Sequence, residues 1–337
     1  MTDLSTTYLG LELRNPVVAS AGPLSQTVDG IKSLADGGVG AVVMYSLFEE
    51  QIRREAEADA ELEERYEESF AEALSYFPSV ATERKDASHA YLKLVEEGAN
   101  AIDVPLIASL NGASMGGWTQ KARQLADAGA SAIELNIYFV PGDITMPGAA
   151  VEERHLEILA GVKDAVDVPV AVKLSPYFSS VGNMAQRLDQ AGADGLVLFN
   201  RFLQPDIDID RVTVESGVSL SSPNEARLPR TWIAVLHDRV KASLAATTGV
   251  DAPEDVIKYL LAGADVVMTT SALIRRGPAY AQTLVEGFRQ WLGARELTLE
   301  KARGLLAVPA DAAADAYERA GYVSALEKAK ATYGSLR

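Results

Sequence analysis

The chain contains no cysteine. This absence excludes disulfide bonds, thiolate metal sites and a cysteine acting as nucleophile or base. The sequence also lacks an uncharged apolar run of about 18 residues or more, so it predicts no membrane-spanning helix. The N-terminus, MTDLSTTYLG, does not have the basic and then apolar segments of a secretion signal. We therefore expect a cytoplasmic protein that does not act at a membrane.

Positive charge is scarce. The chain has 31 Lys and Arg against 47 Asp and Glu, which gives a net charge of −16. Nucleic acid is a poor partner for such a chain, because phosphate binding needs clustered basic side chains. Much of the excess lies between Glu49 and Glu72, with eleven acidic residues and three arginines. Their spacing is typical of a solvated amphipathic helix. A lid or a subunit contact is the alternative.

The signatures of several common enzyme classes are missing. The three histidines, His89, His155 and His237, are far apart and have no metal-ligand spacing. No Walker loop, Rossmann fingerprint or Gly-x-Ser-x-Gly elbow is present. The sequence therefore predicts no metal site, and its chemistry must come from other residues.

Short apolar segments rich in Val, Ile and Leu alternate with helical patterns along the chain. They predict eight strands, at 16–20, 40–46, 104–110, 131–137, 168–174, 194–199, 240–246 and 264–270. Strands that are apolar throughout are buried on both faces, which indicates a parallel sheet covered by helices. Eight such units over this length favour a single (β/α)₈ TIM barrel of the α/β class over a doubly wound sheet.

The predicted domain organisation is one domain over residues 1–337. An N-terminal β-hairpin at about 5–15 plugs the barrel floor, the barrel occupies about 16–276, and helices at about 277–337 pack outside it. No linker or shift in composition marks a second domain.

Polar residues follow several of the predicted strands, where a TIM barrel carries its active site. They are amides, hydroxyls and glycines with one cation, Lys173. They suit a neutral, hydrogen-bonding ligand with one electron-rich edge. A buried lysine must be paired or functional, so Lys173 either faces this ligand or forms a structural ion pair with Glu134. Asn136 and Asn200 are either ligand contacts or satisfied polar groups at strand ends.

The last two predicted strands run into turns that can hold an anion. These turns read ATTGVDAPEDV, around Thr248 and Gly249, and TTSAL, around Thr270 and Ser271. Glycine- and hydroxyl-rich turns that lead into a helix present free N–H groups to an anion. The loops after strands 7 and 8 often bind phosphate in TIM barrels.

Taken together, these segments resemble the class 1 dihydroorotate dehydrogenases, which are FMN-dependent (β/α)₈ barrels. The resemblance covers most of the chain. It is carried by YLGLELRNPVVASAG, ELN, VPVAVKLSPYF, GLVLFNRF and ATTGVDAPEDVIKYLLAGADVVMTTSAL. Further segments, such as IASLNG and LFNRFLQPDIDID, resemble a bacterial branch described as dihydroorotate dehydrogenase-like.

The resemblance implies an FMN site at the strand ends. Lys173 matches the lysine at the pyrimidine edge of the flavin, where a cation stabilises negative charge on reduction. Thr248, Gly249, Thr270 and Ser271 match the two phosphate-holding turns of the family, with a threonine in place of one family glycine. The residues expected to contact FMN are Ala21, Gly22, Ser46, Asn111, Asn136, Lys173, Asn200, Thr248, Gly249, Thr270 and Ser271.

The chain departs from the family at the substrate side. The family carries a cysteine or serine base after the ELN segment, whereas this chain continues Ile137-Tyr138-Phe139-Val140-Pro141. Tyr138 is the titratable side chain in this loop, but phenols are protonated at neutral pH unless a neighbouring cation or the flavin favours ionisation. Packing over the flavin is the alternative role for Tyr138 and Phe139.

Three functions follow from this comparison. The first is FMN-dependent oxidation of the CH–CH group of a small substrate other than dihydroorotate, with Lys173 and Tyr138 as the catalytic residues. The second is a dihydroorotate dehydrogenase of pyrimidine metabolism with a displaced base. The third is a flavin-binding partner that exchanges electrons with a redox protein, for which the acidic surface would serve docking. The family also implies a homodimer.

Overall fold

The computed structural model describes residues 2–50, 87–112, 117–139, 142–201, 205–215, 217, 219–312 and 314–334. The acidic segment predicted as a helix lies outside these residues from position 51 onward, as does the end of the loop at Val140 and Pro141.

Eight parallel strands close into a barrel in sequence order, as the sequence predicted. A short antiparallel hairpin, β1 and β2, precedes the barrel, and a second hairpin, β9 and β10, is inserted after the sixth barrel strand. The strands are β1 Thr6–Tyr8, β2 Leu11–Leu13, β3 Val17–Ala19, β4 Ala41–Phe48, β5 Leu106–Gly112, β6 Ala132–Ile137, β7 Val170–Leu174, β8 Gly195–Leu198, β9 Asp206–Asp208, β10 Thr213–Glu215, β11 Ser243–Ala246 and β12 Val266–Thr269.

Helices surround the barrel, and further helices follow its last strand. The helices are α1 Val28–Asp36, α2 Ala87–Ala101, α3 Trp118–Asp127, α4 Gly148–Lys163, α5 Val181–Gln190, α6 Arg227–Leu236, α7 Pro253–Ala262, α8 Ser271–Arg276, α9 Tyr280–Gly293, α10 Leu299–Ala302 and α11 Ala314–Tyr333. Among the described residues, none of these helices has the length and apolar character needed to cross a bilayer.

The barrel strands are buried on both faces, which explains why their sequences are apolar without alternation. One face packs against the helices, through residues such as Ile133, Leu135 and Val172. The other face fills the barrel interior, with Val43 and Ile107 among its residues. The barrel is therefore a packed core on both sides of its sheet.

The N-terminal hairpin closes the floor of the barrel. Tyr8, Leu9 and Leu13 belong to the interior core. The turn at Leu9 and Gly10 has positive φ at both residues, which matches the twist of a tight hairpin. Gly195 makes room for this plug, since a Cβ there would lie 2.4 Å from Leu9 Cδ2. With the floor closed, the open end of the barrel is the carboxyl end of its strands.

Candidate active site

A cleft opens at the carboxyl ends of the barrel strands, and most of its lining comes from the segments that directly follow β3, β8, β11 and β12. The empty space between its walls is about 490 Å³, which includes space open to solvent. The lining is mostly hydroxyl, amide and backbone groups, with the cations Lys173 and Arg201. The lining residues are Ser20, Ala21, Lys173, Phe199, Asn200, Arg201, Ser221, Thr247, Thr248, Gly249, Val250, Met268, Thr269, Thr270 and Ser271.

Lys173 and Glu134 form a buried ion pair inside the barrel mouth. Lys173 Nζ lies 3.3 Å from Glu134 Oε1, and the two side chains are 8% and 1% exposed. The other carboxylate oxygen, Glu134 Oε2, is buried and has no hydrogen-bond partner among the described residues. The ion pair that the sequence offered as one alternative is therefore present, and Lys173 also lines the cleft.

The amides of Asn136 and Asn200 join the ends of two strands that are not neighbours. Asn200 Nδ2 donates to Asn136 Oδ1 over 2.7 Å. Asn136 is in register with Lys173 on β7, so its buried side chain borders the cationic part of the cleft. Asn200 is held in turn by its backbone N–H, which donates to the Leu174 carbonyl over 2.7 Å. The two amides therefore have a fixed orientation at the cleft.

The turn after β11 carries two consecutive residues with positive φ, Thr248 at 80° and Gly249 at 72°. Glycine is required at position 249, because a Cβ there would lie 2.7 Å from the backbone N of Ala226. Ser221 Oγ accepts from the Gly249 N–H over 3.2 Å and donates to Ser271 Oγ over 3.0 Å. Hydroxyl and N–H groups from three separate segments thus converge at this end of the cleft.

Gly22 and Thr270 are in close contact beside the same end. A Cβ at Gly22 would lie 2.4 Å from Thr270 Cγ2. Thr270 Oγ1 donates to the Ser20 carbonyl over 2.7 Å, which ties the turn after β12 to the end of β3. The chain next to Ala21 therefore approaches this turn only because residue 22 has no side chain.

The remaining predicted contacts lie farther along the mouth and do not line the cleft. Ser46 Oγ is 2.9 Å from Ser109 Oγ, in a buried pair between β4 and β5. Asn111 lines a separate small cavity with Glu49 and Trp118. Among the described residues, the cleft thus includes seven of the eleven predicted FMN contacts, and a hydrogen bond joins Asn136 to it.

Tyr138 and Phe139 follow β6 and are half-buried. The Tyr138 N–H lies 3.1 Å from the Gly112 carbonyl, and Arg154 stacks on the Phe139 ring, with Cζ 4.1 Å from its centroid. Phe139 therefore packs against α4 through Arg154. Tyr138 is two residues after Asn136 in the chain but is not part of the cleft lining in the described structure.

A second cleft of about 910 Å³ adjoins the first and shares Phe199, Asn200, Arg201 and Thr248 with it. Arg201 stands at this boundary, where its Nε donates to Glu225 Oε2 over 2.7 Å. The two clefts therefore have a common wall at the segments that follow β8 and β11.

Ser221 was missed by sequence reasoning. It lies in the segment SLSSPNEA before α6, far in sequence from Gly249 and Ser271. The Ser-Pro-Asn-Glu pattern does indicate a cap, and Ser222 with Glu225 forms a capping box there. Nothing in that pattern indicates that the preceding serine reaches two other loops, because this contact depends on how the barrel closes.

No group of three metal-ligating side chains occurs among the described residues. His155 is buried on α4, where burial lowers its pKa, and its Nδ1 lies 2.7 Å from the Val151 carbonyl. A carbonyl only accepts, so Nδ1 carries the proton in this contact. The histidine therefore serves packing and a helix hydrogen bond at this position.

Comparisons with known proteins agree with the resemblance seen in the sequence. The sequence model of the dihydroorotate dehydrogenase family matches residues 3–292. The chain is 29% identical to the dihydroorotate dehydrogenase B (NAD(+)) catalytic subunit of Methanothermobacter thermautotrophicus, over 86% of this chain and 93% of that protein. It is 26% identical to the same subunit of Methanocaldococcus jannaschii, over 90% and 97% of the two chains. For the Methanosarcina acetivorans subunit the identity is 27%, over 81% and 86%.

Proposed function

Because the chain belongs to the dihydroorotate dehydrogenase family and is an oxidoreductase of that type, we propose that it oxidises dihydroorotate to orotate with FMN bound at the barrel mouth. The observation that best supports this proposal is the composition of the cleft. One end of it is rich in hydroxyl groups and suits an anion, and the buried Lys173 also lines it. The sequence favoured a different CH–CH substrate. The comparisons give that preference no support, since relatives matched over most of the chain are dihydroorotate dehydrogenases.

The chemistry of the cleft fits FMN. At one end, the converging hydroxyls of Ser221 and Ser271 suit a phosphate, and the Gly249 N–H holds Ser221 Oγ in place. Ser271 is the first residue of α8, where the N–H groups lack partners within the helix. About the middle of the barrel mouth, Lys173 and the Asn136–Asn200 pair suit the polar edge of a flavin ring.

Bound FMN would supply the hydride acceptor for the reaction. The residues of the chain itself supply a positive charge and hydrogen-bonding groups of fixed orientation. Lys173 places an ammonium group in a water-poor mouth, where its field is stronger than in bulk solvent. Glu134 fixes that ammonium group from below through the 3.3 Å contact. Asn136 and Asn200 present amides whose orientation is set by their mutual hydrogen bond.

Oxidation of a CH–CH group also releases a proton, so the reaction needs an acceptor for it. Tyr138 is our candidate, because it immediately follows the β6 strand that carries Asn136. The cysteine base of the family is excluded by composition. A base supplied from another loop is the alternative, and Tyr138→Phe separates the two. Loss of substrate oxidation with FMN still bound would support Tyr138, and unchanged oxidation would contradict its role.

The altered loop after β6 favours a second candidate function, which is oxidation of a different small CH–CH substrate. One experiment distinguishes the candidates. The purified protein is saturated with FMN and mixed anaerobically with dihydroorotate, with other dihydropyrimidines, or with a reduced redox protein. Bleaching of the flavin absorbance by dihydroorotate supports the proposal. Bleaching only by another small donor favours the second candidate, and bleaching only by the redox protein favours an electron-transfer partner. A protein that binds no FMN contradicts all three.

The β9–β10 hairpin supports a further part of the proposal, a homodimer. Ile207 and Val214 are cross-strand partners and are 67% and 70% exposed. Ile209 and Val212 near the hairpin turn are also exposed. A two-stranded hairpin is marginally stable alone and gains from burying such a face. Light scattering at micromolar concentration tests this: a dimer that I207D/V214D converts to a monomer supports the interface, and a monomeric parent protein contradicts it.

A further inference from the structure

Thr248 holds a backbone conformation that its side chain disfavours. Its φ is 80°, in the left-handed region, where a β-branched residue is a genuine outlier. A Cβ in this region crowds the following carbonyl. Such strain persists only where surrounding contacts impose it. The contacts around Thr248 therefore show which residues impose this conformation on the turn.

Tyr259 supplies the main contact. It lies on α7 and is fully buried, and its hydroxyl is 2.7 Å from the Thr248 carbonyl and 3.2 Å from the Thr247 carbonyl. Burial raises the pKa of the Tyr259 phenol, so this hydroxyl remains a donor at neutral pH. On the other side, Thr248 Oγ1 donates to the Phe199 carbonyl over 3.1 Å. The turn is thus tied both to α7 behind it and to the end of β8.

Tyr259 does not line the cleft, whereas Thr247, Thr248 and Gly249 all do. We infer that Tyr259 is a positioning residue: its hydroxyl keeps Thr248 in the left-handed conformation and so holds the 247–249 turn where it receives the phosphate of FMN. This inference rests on the proposed function. It adds a residue behind the cleft whose effect on the ligand passes through the backbone of Thr248.

The phosphate gives a selective readout, because riboflavin is the same flavin without it. Apo-protein is titrated with FMN and with riboflavin, following quenching of flavin fluorescence. We expect Y259F to bind FMN about tenfold more weakly, comparable to the cost of a Cβ in the left-handed region. Riboflavin affinity should not change. Equal weakening of both ligands would mean that the Tyr259 hydroxyl supports the cleft as a whole rather than its phosphate end, and would overturn the inference.

A rescue experiment tests the strain directly. In the T248G background the left-handed conformation no longer carries a Cβ penalty, so Y259F should change FMN affinity less than about twofold. In the T248A background the Cβ remains, and Y259F should again weaken FMN about tenfold. An equal effect of Y259F in both backgrounds would overturn the inference.

Tyr280→Phe is the matched control. The Tyr280 hydroxyl donates to the Asp251 carbonyl over 3.2 Å, close to the same loop but outside the cleft. The FMN affinity of Y280F should equal that of the parent protein. If Y259F does not fold, recovery of a folded protein in Y259F/T248G supports the inference, and failure of both variants to fold contradicts it. A parent protein that binds no FMN overturns the proposed function as well, whereas the outcomes above overturn the positioning role alone.

Discussion

Asn200 Nδ2 donates a 2.7 Å hydrogen bond to Asn136 Oδ1, which links the end of β8 to the end of β6 across β7. Lys173 of β7 lies between these strands and is in register with Asn136. Two amides and one ammonium group therefore meet where the barrel opens. Each of the three has a partner within the protein, which fixes its orientation before any ligand arrives.

The first prediction concerns this amide pair. N136A removes the acceptor for Asn200 Nδ2, so the free energy of unfolding should fall by about 1 kcal/mol. FMN affinity should fall as well, because Asn200 loses its fixed orientation. Urea denaturation and FMN titration measure the two effects.

N224A is the control for this pair, because Asn224 is exposed. Its stability should stay within about 0.5 kcal/mol of the parent protein. An N136A protein as stable as N224A would show that the amide pair contributes nothing.

The second prediction concerns the buried ion pair. K173M leaves the Glu134 carboxylate buried without its cation, which should lower the free energy of unfolding by about 3–5 kcal/mol. E134Q/K173M removes both charges and should recover part of that loss. Denaturation of the apo-proteins measures this double-mutant cycle without involving FMN.

If the loss of unfolding free energy in E134Q/K173M equals the sum of the losses in E134Q and K173M, the two side chains are not coupled. Lys163 and Asp194 provide a control pair, 2.6 Å apart but 30% and 35% exposed. Solvent screens such a pair, so K163M should cost only about 0–1 kcal/mol.

The third prediction concerns pH. Burial holds the pKa of His155 below its ordinary value of 6.5, so the folded protein binds this proton less readily than the unfolded chain. The neutral, buried His155 therefore contributes to the free energy of unfolding above pH 6.5. This contribution is lost as the pH falls from 6.5 through the pKa of His155 in the folded protein. This residue should contribute a slope of at most about 1.4 kcal/mol per pH unit in that window.

Denaturation at several pH values tests this with H155Q, in which that slope should be absent. H89Q is the control, because His89 is exposed on α2. The unfolding free energy of H89Q should depend on pH in the same way as that of the parent protein. An H155Q protein with the full acid sensitivity of the parent would assign the slope to other groups.

Much of this fold was predictable from local pattern. The eight barrel strands and the floor hairpin were confirmed, because apolar strands and a tight turn such as Leu9-Gly10 are specified over a few residues. The inserted β9–β10 hairpin was missed, since its apolar residues are exposed and do not follow the pattern of a buried strand. Whether residues 1–337 form one domain stays a prediction, as does a cytoplasmic location.

The candidate site was predictable where one strand end supplies the residue. Lys173, Asn200 and Thr248 line the cleft as the sequence indicated. Ser221 and Tyr259 were not found in this way, because each acts on a loop distant in sequence, through closure of the barrel. Their side chains also carry no unusual local pattern. Such residues become visible only when the contacts between loops are known.

The last prediction concerns the contact between Gly22 and Thr270. Gly22 has an extended φ of 176°, which any residue can adopt. A glycine is therefore needed at this position because there is no space for a side chain, and not because of the backbone conformation. A Cβ at this position would lie 2.4 Å from Thr270 Cγ2. G22A should therefore lower the free energy of unfolding by about 1–3 kcal/mol and weaken FMN binding, as the loops after β3 and β12 separate.

Thr270→Ser tests this explanation, because serine lacks the Cγ2 atom but keeps the hydroxyl that donates to the Ser20 carbonyl. In G22A/T270S the added methyl group takes the space that Cγ2 left. We expect this double variant to recover most of the stability and FMN affinity lost in G22A. T270S alone should keep the hydrogen bond and change stability little. If G22A/T270S is as impaired as G22A, the clash with Cγ2 is not the cause. The close approach would then depend on the backbone of the turn rather than on this methyl group.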